Sequence, residues 1–204
     1  MTAWGSVRPG GRTAQTRERV FDATLDELVA QGFDLFSVES VAAQAGVHKT
    51  TIYRRWQTKD RLVAEALRDG ADNTLGLPEA GDIDAAIRAA GRAFLGTIRS
   101  RAGTAAVRAL VSGGQASPEI KEFIDDFFAA RLAQLEPVVA SAIKAKELPR
   151  GTSAELLYKH TAGPLYYRTL IMADELTDAD ADIAATAALA AARAGAFVPR
   201  RKGR

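Results

Sequence analysis

The chain has 204 residues, of which 47% are apolar, with a formal charge of +2 and no cysteine. This length and apolar content allow one moderate domain, or a small one joined to a larger, and exclude global disorder. The lack of cysteine excludes disulfides and thiolate chemistry, and two histidines (His48 and His160) are too few for a His-rich metal site, so no metal and no cofactor are expected.

Helical spacing dominates the chain, without convincing period-2 alternation. Thr13 is a candidate cap for a first helix bearing Val20, Phe21, Leu25, Leu28 and Val29, and Gly32 ends it where a left-handed residue is needed. Phe33 and Phe36 follow as core plugs. Ser37 is a natural N-cap for a short second helix with Val38, Val41 and Ala42, and Glu39 favours its positive end. Ala45-Gly46-Val47 forms a tight turn, and a third short helix runs from about His48 to Trp56. Thr58 caps a fourth helix, Lys59 to about Leu75, with Leu62, Val63, Ala66 and Leu67 inward. Gly76-Leu77-Pro78 and Gly81 mark the best boundary between two parts.

Beyond it, Ile83, Ile87, Ala90, Phe94 and Ile98 draw a stripe along a fifth helix. Val107, Leu110 and Val111 supply a shorter sixth. Ser117-Pro118-Glu119 is a strong start for a seventh, which carries Ile120, Phe123, Phe127, Leu135, Val138 and Ile143 and should kink near Pro137. Two more helices are expected, about Ser153 to Met172 and about Asp178 to Ala196. The fold class is therefore all-α, with about nine helices. Its expected parts are a flexible basic arm (1–12), a helix-turn-helix domain (13–57), a connecting helix (58–76), a second domain (77–197) and a disordered basic tail (198–204).

Charge follows this division. Between Gly46 and Arg61, Lys49, Arg54, Arg55, Lys59 and Arg61 face a single acid, Asp60. From Asp69 to Val198, thirteen basic residues are set against seventeen acidic ones, and the tail is basic again. One polyanion-facing end is the natural reading. No uncharged apolar run reaches the roughly eighteen residues of a spanning helix, and the start lacks the apolar segment of a signal peptide. No membrane association and a cytoplasmic location are expected.

Residues 37–62 read SVESVAAQAGVHKTTIYRRWQTKDRL. Ala42, Ala45, Gly46 and Val47 allow the close crossing of two short helices. In the third helix Val47, Ile52 and Trp56 can point inward, leaving Lys49, Thr50, Thr51, Tyr53, Arg54 and Arg55 on other faces, a basic surface suited to a major groove. The plainer alternatives are that Tyr53 is another core aromatic and that the two arginines are a solvated face.

This run resembles the DNA-binding signature of the TetR/AcrR family, with Thr51-Ile52-Tyr53-Arg54-Arg55-Trp56 a common variant of it. Lys146-Glu147-Leu148 and Gly163-Pro164-Leu165-Tyr166-Tyr167-Arg168 are similar to one subgroup of that family's ligand-binding domains. The resemblance implies an all-helical homodimer whose three-helix N-terminal domain binds double-stranded operator DNA, tied by the fourth helix to a ligand-binding bundle. It places Ser37, Lys49, Thr51, Tyr53 and Lys59 at phosphates and His48, Thr50 and Arg54 nearest base edges. His48 and Thr50 depart from the serine and glycine usual there, so no relative's operator can be borrowed. It also implies an effector cavity among the helices that carry Phe94, Ile98, Leu110, Phe123, Phe127, His160 and Tyr167, although packing alone also accounts for the aromatic stripe.

Gly163-Pro164 inside a helix is costly unless packing offsets it, and the small residues from Ala184 to Ala194 permit close helix approach. Leu157, Thr161, Pro164, Leu165, Ile183, Ala187 and Ala190 are thus candidates for a dimer interface, the alternative being that these two helices close the chain's own core. No G-x-S-x-G, P-loop or H-E-x-x-H motif is present, so an enzyme is not expected. Asp125-Asp126 and Asp174-Glu175 are expected to be solvated. The expected function is a ligand-responsive repressor released by a small apolar effector, the alternative being an architectural DNA binder without one.

Overall fold

The computed structural model describes residues 11–78 and 82–199. The expected arm (1–12), tail (198–204) and Gly81 lie wholly or largely outside them. Among the described residues there are nine α-helices and no strand: α1 (Arg12–Gln31), α2 (Val38–Ala45), α3 (Lys49–Trp56), α4 (Lys59–Gly70), α5 (Ile83–Arg99), α6 (Arg101–Val111), α7 (Pro118–Lys144), α8 (Ala154–Leu170) and α9 (Asp178–Arg193). They form two compact units. The first comprises the chain up to Ala71 together with Ser100–Ile124, and the second comprises Asp72–Arg99 together with the chain from Asp125.

In the first unit α1 packs on α2, α4 and α6, and buries Val20, Phe21, Leu25 and Leu28. It starts at Arg12 after Gly11, so Thr13 lies within its first turn and is not the cap. Gly32 ends it at φ 73°, a conformation that disfavours a Cβ, and an added Cβ would also stand 2.6 Å from Ser112 Oγ. That oxygen accepts from the Phe33 amide at 2.6 Å. Ser37 and Thr58 cap α2 and α4 as their chemistry predicts, accepting from the amides of Ser40 and Arg61.

Two expectations fail here. Helix α4 stops at Gly70 rather than near Leu75. Asp72 bends the following chain by accepting from the Thr74 amide at 2.8 Å, and Gln134 takes up the Leu75 amide and the Asn73 carbonyl, so long-range partners replace the helical ones. Leu75 is nonetheless 1% exposed. In α6 the buried face consists of Ala102, Gly103, Ala105 and Ala109, while Val111 is 64% exposed. Close approach decides it, because a Cβ on Gly70 would lie 2.7 Å from that of Ala102. Bulky side chains have no room there.

In the second unit α5 packs on α8 and α9, which also pack on each other. The stripe of α5 (Ile83, Ile87, Ala90, Phe94 and Ile98) is buried as expected. Ile83, Ile87 and Ala90 share one core cluster with Leu135, Val139, Leu157 and Leu189 and with the small residues Ala185, Ala188 and Ala192 of α9. Pro137 and Pro164 both lie inside helices, and each deprives the carbonyl four residues back of its donor. Helices α8 and α9 end at Leu170 and Arg193, short of the expected Met172 and Ala196. Beyond α9, Phe197 folds back, with its carbonyl accepting from the Ser153 amide at 2.9 Å.

Ion pairs tie this unit together: Arg92 with Asp182, Arg193 with Asp84, and Arg168 with both Asp174 and Asp180. Asp174 is thus paired rather than free in solvent. The Arg193 hydrogen bonds hold the Asp84 carboxyl below its ordinary 3.8, and those of Arg92 do the same for Asp182. A carboxyl with a depressed folded pKa stabilises the fold above its unfolded value and loses that stabilisation as pH falls through the folded one. Stability should therefore drop as the pH is lowered below about 4. Denaturant midpoints at neutral and acid pH check this, with a smaller acid loss expected for Asp84→Asn and Asp182→Asn.

Candidate functional site

The surface of α3 is built from an inward pair and an outward set. Ile52 and Trp56 are each 2% exposed, Val47 is half-buried, and the Trp56 ring meets Phe21 with centroids 5.7 Å apart. Trp56 Nε1 donates to Glu65 Oε2 at 3.0 Å, fastening α3 to α4. Anchored in this way, α3 turns His48, Lys49, Thr50, Tyr53, Arg54 and Arg55 outward, with Thr51 half-buried. Tyr53 is 43% exposed. Gly46, at φ 67°, makes the turn before it. Gln57 makes the joint after it at φ 66° and ψ −46°, where the Thr58 amide donates to the Trp56 carbonyl at 2.8 Å. This is a γ-turn of the positive-φ kind, a strained conformation for a residue with a side chain.

The residues expected at phosphates divide into two sets. Tyr53 stays open, and Lys49 forms only an exposed pair with Glu39 at 3.3 Å, the kind that contributes little and exchanges readily. Lys59 and Ser37 are engaged internally. Lys59 Nζ donates to the Phe33 carbonyl at 3.0 Å and sits 4.0 Å from that ring's centroid. At the start of α2, Glu27 already accepts from the Ser37 amide and the Ser40 hydroxyl, while Ser37 Oγ accepts from the Ser40 amide. A carboxylate thus occupies the helix end where a phosphate was expected. Among the described residues no hydrogen-bond partner holds Tyr53, Arg54 or Arg55, although Arg55 lies over the Trp56 ring at 5.1 Å.

The second unit contains a partly open cavity of about 430 Å³, lined by Phe94, Phe128, Leu132, Tyr158, Ala162 and Tyr166, with Asp125, Glu155 and Lys159 among its polar members. Of the residues expected to line a pocket, Phe94 lines this cavity. Ile98 and Phe127 are buried in the same unit without being among the cavity's lining residues, Leu110 and Phe123 belong to the first unit, and Tyr167 is 56% exposed. His160 Nδ1 donates to the Leu156 carbonyl and its ring lies 4.5 Å from that of Phe197, so it packs within its own helix layer. The rest of this lining follows helical spacing: 125, 128, 129 and 132 on α7, and 155, 158, 159, 162, 163 and 166 on α8. Burial raises the phenol pKa of both Tyr158 and Tyr166.

Beside the cavity, Arg131 is 1% exposed and also went unnoticed in the sequence. It donates to Tyr158 Oη at 3.1 Å, to the Asp72 carbonyl at 2.9 Å and to Thr97 Oγ1, over the face of Phe127. Among the described residues its Nε has no partner.

The expected interface residues also divide. Leu157, Thr161 and Leu165 are buried in the unit's own core, whereas Pro164, Ile183, Ala187 and Ala190 are exposed. On α8, Pro164 shares a face with Tyr167, just before the C-capping Ile171, and on α9, Ile183 shares one with Ala187 and Ala190. Ile171 and Ile183 are 69% and 68% exposed. No helix among the described residues is long and apolar enough to cross a membrane.

Two family models match the chain: "Bacterial regulatory proteins, tetR family" over residues 20–66 and "Tetracyclin repressor-like, C-terminal domain" over residues 77–196. The HTH-type transcriptional regulator YdeS of Bacillus subtilis is 29% identical over 174 residues, covering 85% of this chain and 87% of its own. AqdR of Rhodococcus erythropolis, another HTH-type regulator, is 29% identical over 146 residues, covering 72% and 70%. A crystal structure of a TetR-family regulator from Mesorhizobium loti superposes with a TM-score of 0.68 at 19% identity, covering 91% of this chain and 98% of that one.

Proposed function

Because the chain belongs to the TetR family of transcriptional regulators, a helix-turn-helix class, we propose that it is a repressor released from its operator by a small apolar effector. The observation that carries this reading is the outward set of α3: Thr50, Tyr53, Arg54 and Arg55 are exposed on a helix pinned by two buried residues. Such a helix fits a major groove, with Arg54 and Thr50 reaching base edges and Tyr53 and Lys49 reaching phosphates. The engaged positions of Lys59 and Ser37 argue that these two support the fold before they touch DNA.

Two subunits would read a near-palindromic site with half-sites about one helical turn apart. The exposed apolar faces of α8 and α9 support a homodimer, through Pro164, Tyr167, Ile171, Ile183 and Ala187 rather than through the inward Leu157, Thr161 and Leu165. The cavity has the size and apolar character of an effector site. A coupling of about 1–3 kcal/mol between ligand and DNA suffices for a switch.

Selection of bound fragments from random DNA by the purified protein tests the core of this reading; a palindrome should emerge, and recovery of no sequence preference refutes it. On the selected site Arg54→Ala should cost about 1–3 kcal/mol and relax preference at one position per half-site. Tyr53→Phe with Lys49→Ala should instead weaken all sequences alike and lower the salt slope. In sedimentation the chain should run as a dimer, and Ile183→Glu as a monomer.

A further inference from the structure

A guanidinium carries donors only, so where Arg131 Nη1 meets Tyr158 Oη at 3.1 Å the tyrosine oxygen is the acceptor. The phenol proton is therefore unspent, and no acceptor for it exists among the described residues. Tyr158 is 2% exposed, yet it lines the cavity. Arg131 in turn has no carboxylate within ion-pair distance among those residues; its partners are a carbonyl, two hydroxyls and a ring. A buried positive charge without an ion-paired carboxylate, felt by the Asp72 carboxyl but not bonded to it, thus stands one hydroxyl away from the apolar part of the wall, Phe94, Phe128, Leu132 and Ala162, with Asp125 also at the lining. At the same cavity Glu155 and Lys159 pair with each other at 2.6 Å.

We propose that the cavity recognises an apolar, ring-bearing ligand by a single acceptor oxygen, which takes the Tyr158 proton and is preferred in its anionic form because Arg131 polarises that hydroxyl. The inference rests on the cavity being the effector site. A bare hydrocarbon fills the same space but leaves the donor unmatched; a hydroxylated ring supplies a weak acceptor and a carboxylated ring a strong one. Arg131 acts through Tyr158 and does not touch the ligand.

Naphthalene, 2-naphthol and 2-naphthoate test this, with affinities measured on the whole protein by calorimetry. Wild type should bind 2-naphthoate about tenfold or more tighter than naphthalene, with 2-naphthol between. Tyr158→Phe should bring the three to within about twofold of one another while naphthalene keeps its wild-type affinity, which reports an intact cavity. Tyr166→Phe, at the other phenol of the lining, should keep the ranking. A ranking that survives Tyr158→Phe, or that vanishes in Tyr166→Phe, overturns the proposal.

Should Tyr158→Phe fail to fold, nuclear Overhauser contacts on the wild-type complex decide. The carboxylate-bearing edge of 2-naphthoate beside the Tyr158 ring supports the proposal, and beside the Lys159 side chain it refutes it. If the three compounds bind equally, only this inference falls. If none binds up to about 1 mM, the cavity is not a ligand site and the effector reading falls with it.

Discussion

Trp56→Ala should destabilise the DNA-binding unit by about 3–5 kcal/mol, a large share of the stability of a domain this size. The indole is 2% exposed, packs on Phe21, carries Arg55 on its face and donates to Glu65. Truncation empties that volume and cuts the link from α3 to α4. Glu65 itself is exposed and turns to water, so little is added by its lost partner. Trp56→Phe keeps a ring against Phe21 but loses the indole hydrogen bond and part of the buried volume, a change of about 2 kcal/mol. Urea denaturation followed by circular dichroism separates the two, and anisotropy with labelled operator should show the alanine variant losing DNA affinity far more than the phenylalanine variant. Equal stability of all three proteins would mean that α3 is not held by Trp56.

Arg131→Ala should cost the second unit a comparable amount, about 3–5 kcal/mol, for a different reason. The side chain is the common donor for three acceptors on separate segments: the Asp72 carbonyl after α4, Thr97 on α5 and Tyr158 on α8. Its removal leaves the buried Tyr158 oxygen and two part-buried acceptors without this donor, and a void beside Phe127. Arg131→Met fills most of the volume without restoring a donor, so the loss should be roughly half as large. Denaturation of the two variants against wild type measures the difference. Were methionine as disruptive as alanine, the hydrogen bonds rather than the volume would account for the whole effect.

What the sequence disclosed was chiefly local chemistry. Ser37 and Thr58 accept from amides three residues on, Gly32 and Gly46 sit at positive φ, and the stripe of α5 is buried along its length. Each follows from the residue itself and its near neighbours, and so did the outward set of α3. The failures depended on distant partners. Leu75 continued the apolar phase of α4, but Gln134, far along the chain, claims the backbone that would have extended the helix. Val107, Leu110 and Val111 were the hydrophobic residues of α6, while its neighbours required the alanine side of that helix. The cavity of the second unit is lined along the faces of α7 and α8, where Ala162 counts as much as Phe128, and a face made by two helices is not legible from the apolar stripe of one. Lys59 shows the same limit at a single residue, because nothing in its surroundings along the chain points to the Phe33 carbonyl.

The one-residue joint at Gln57 has a mechanical implication. With Thr58 bonded back to Trp56 and the indole clamped to Glu65, α3 and α4 have no slack between them, so a displacement of one would be passed to the other as through a bent lever. At 1.5 Å per residue, the arm from Lys59 to Gly70 is about 18 Å long and the arm from Trp56 to Lys49 about 12 Å. Pushing the Gly70 end sideways by about 1.5 Å therefore swings the His48 end by about 1 Å. That is more than the width of a hydrogen bond's working range, so a nudge too small to unfold anything is enough to spoil the register of every contact α3 makes.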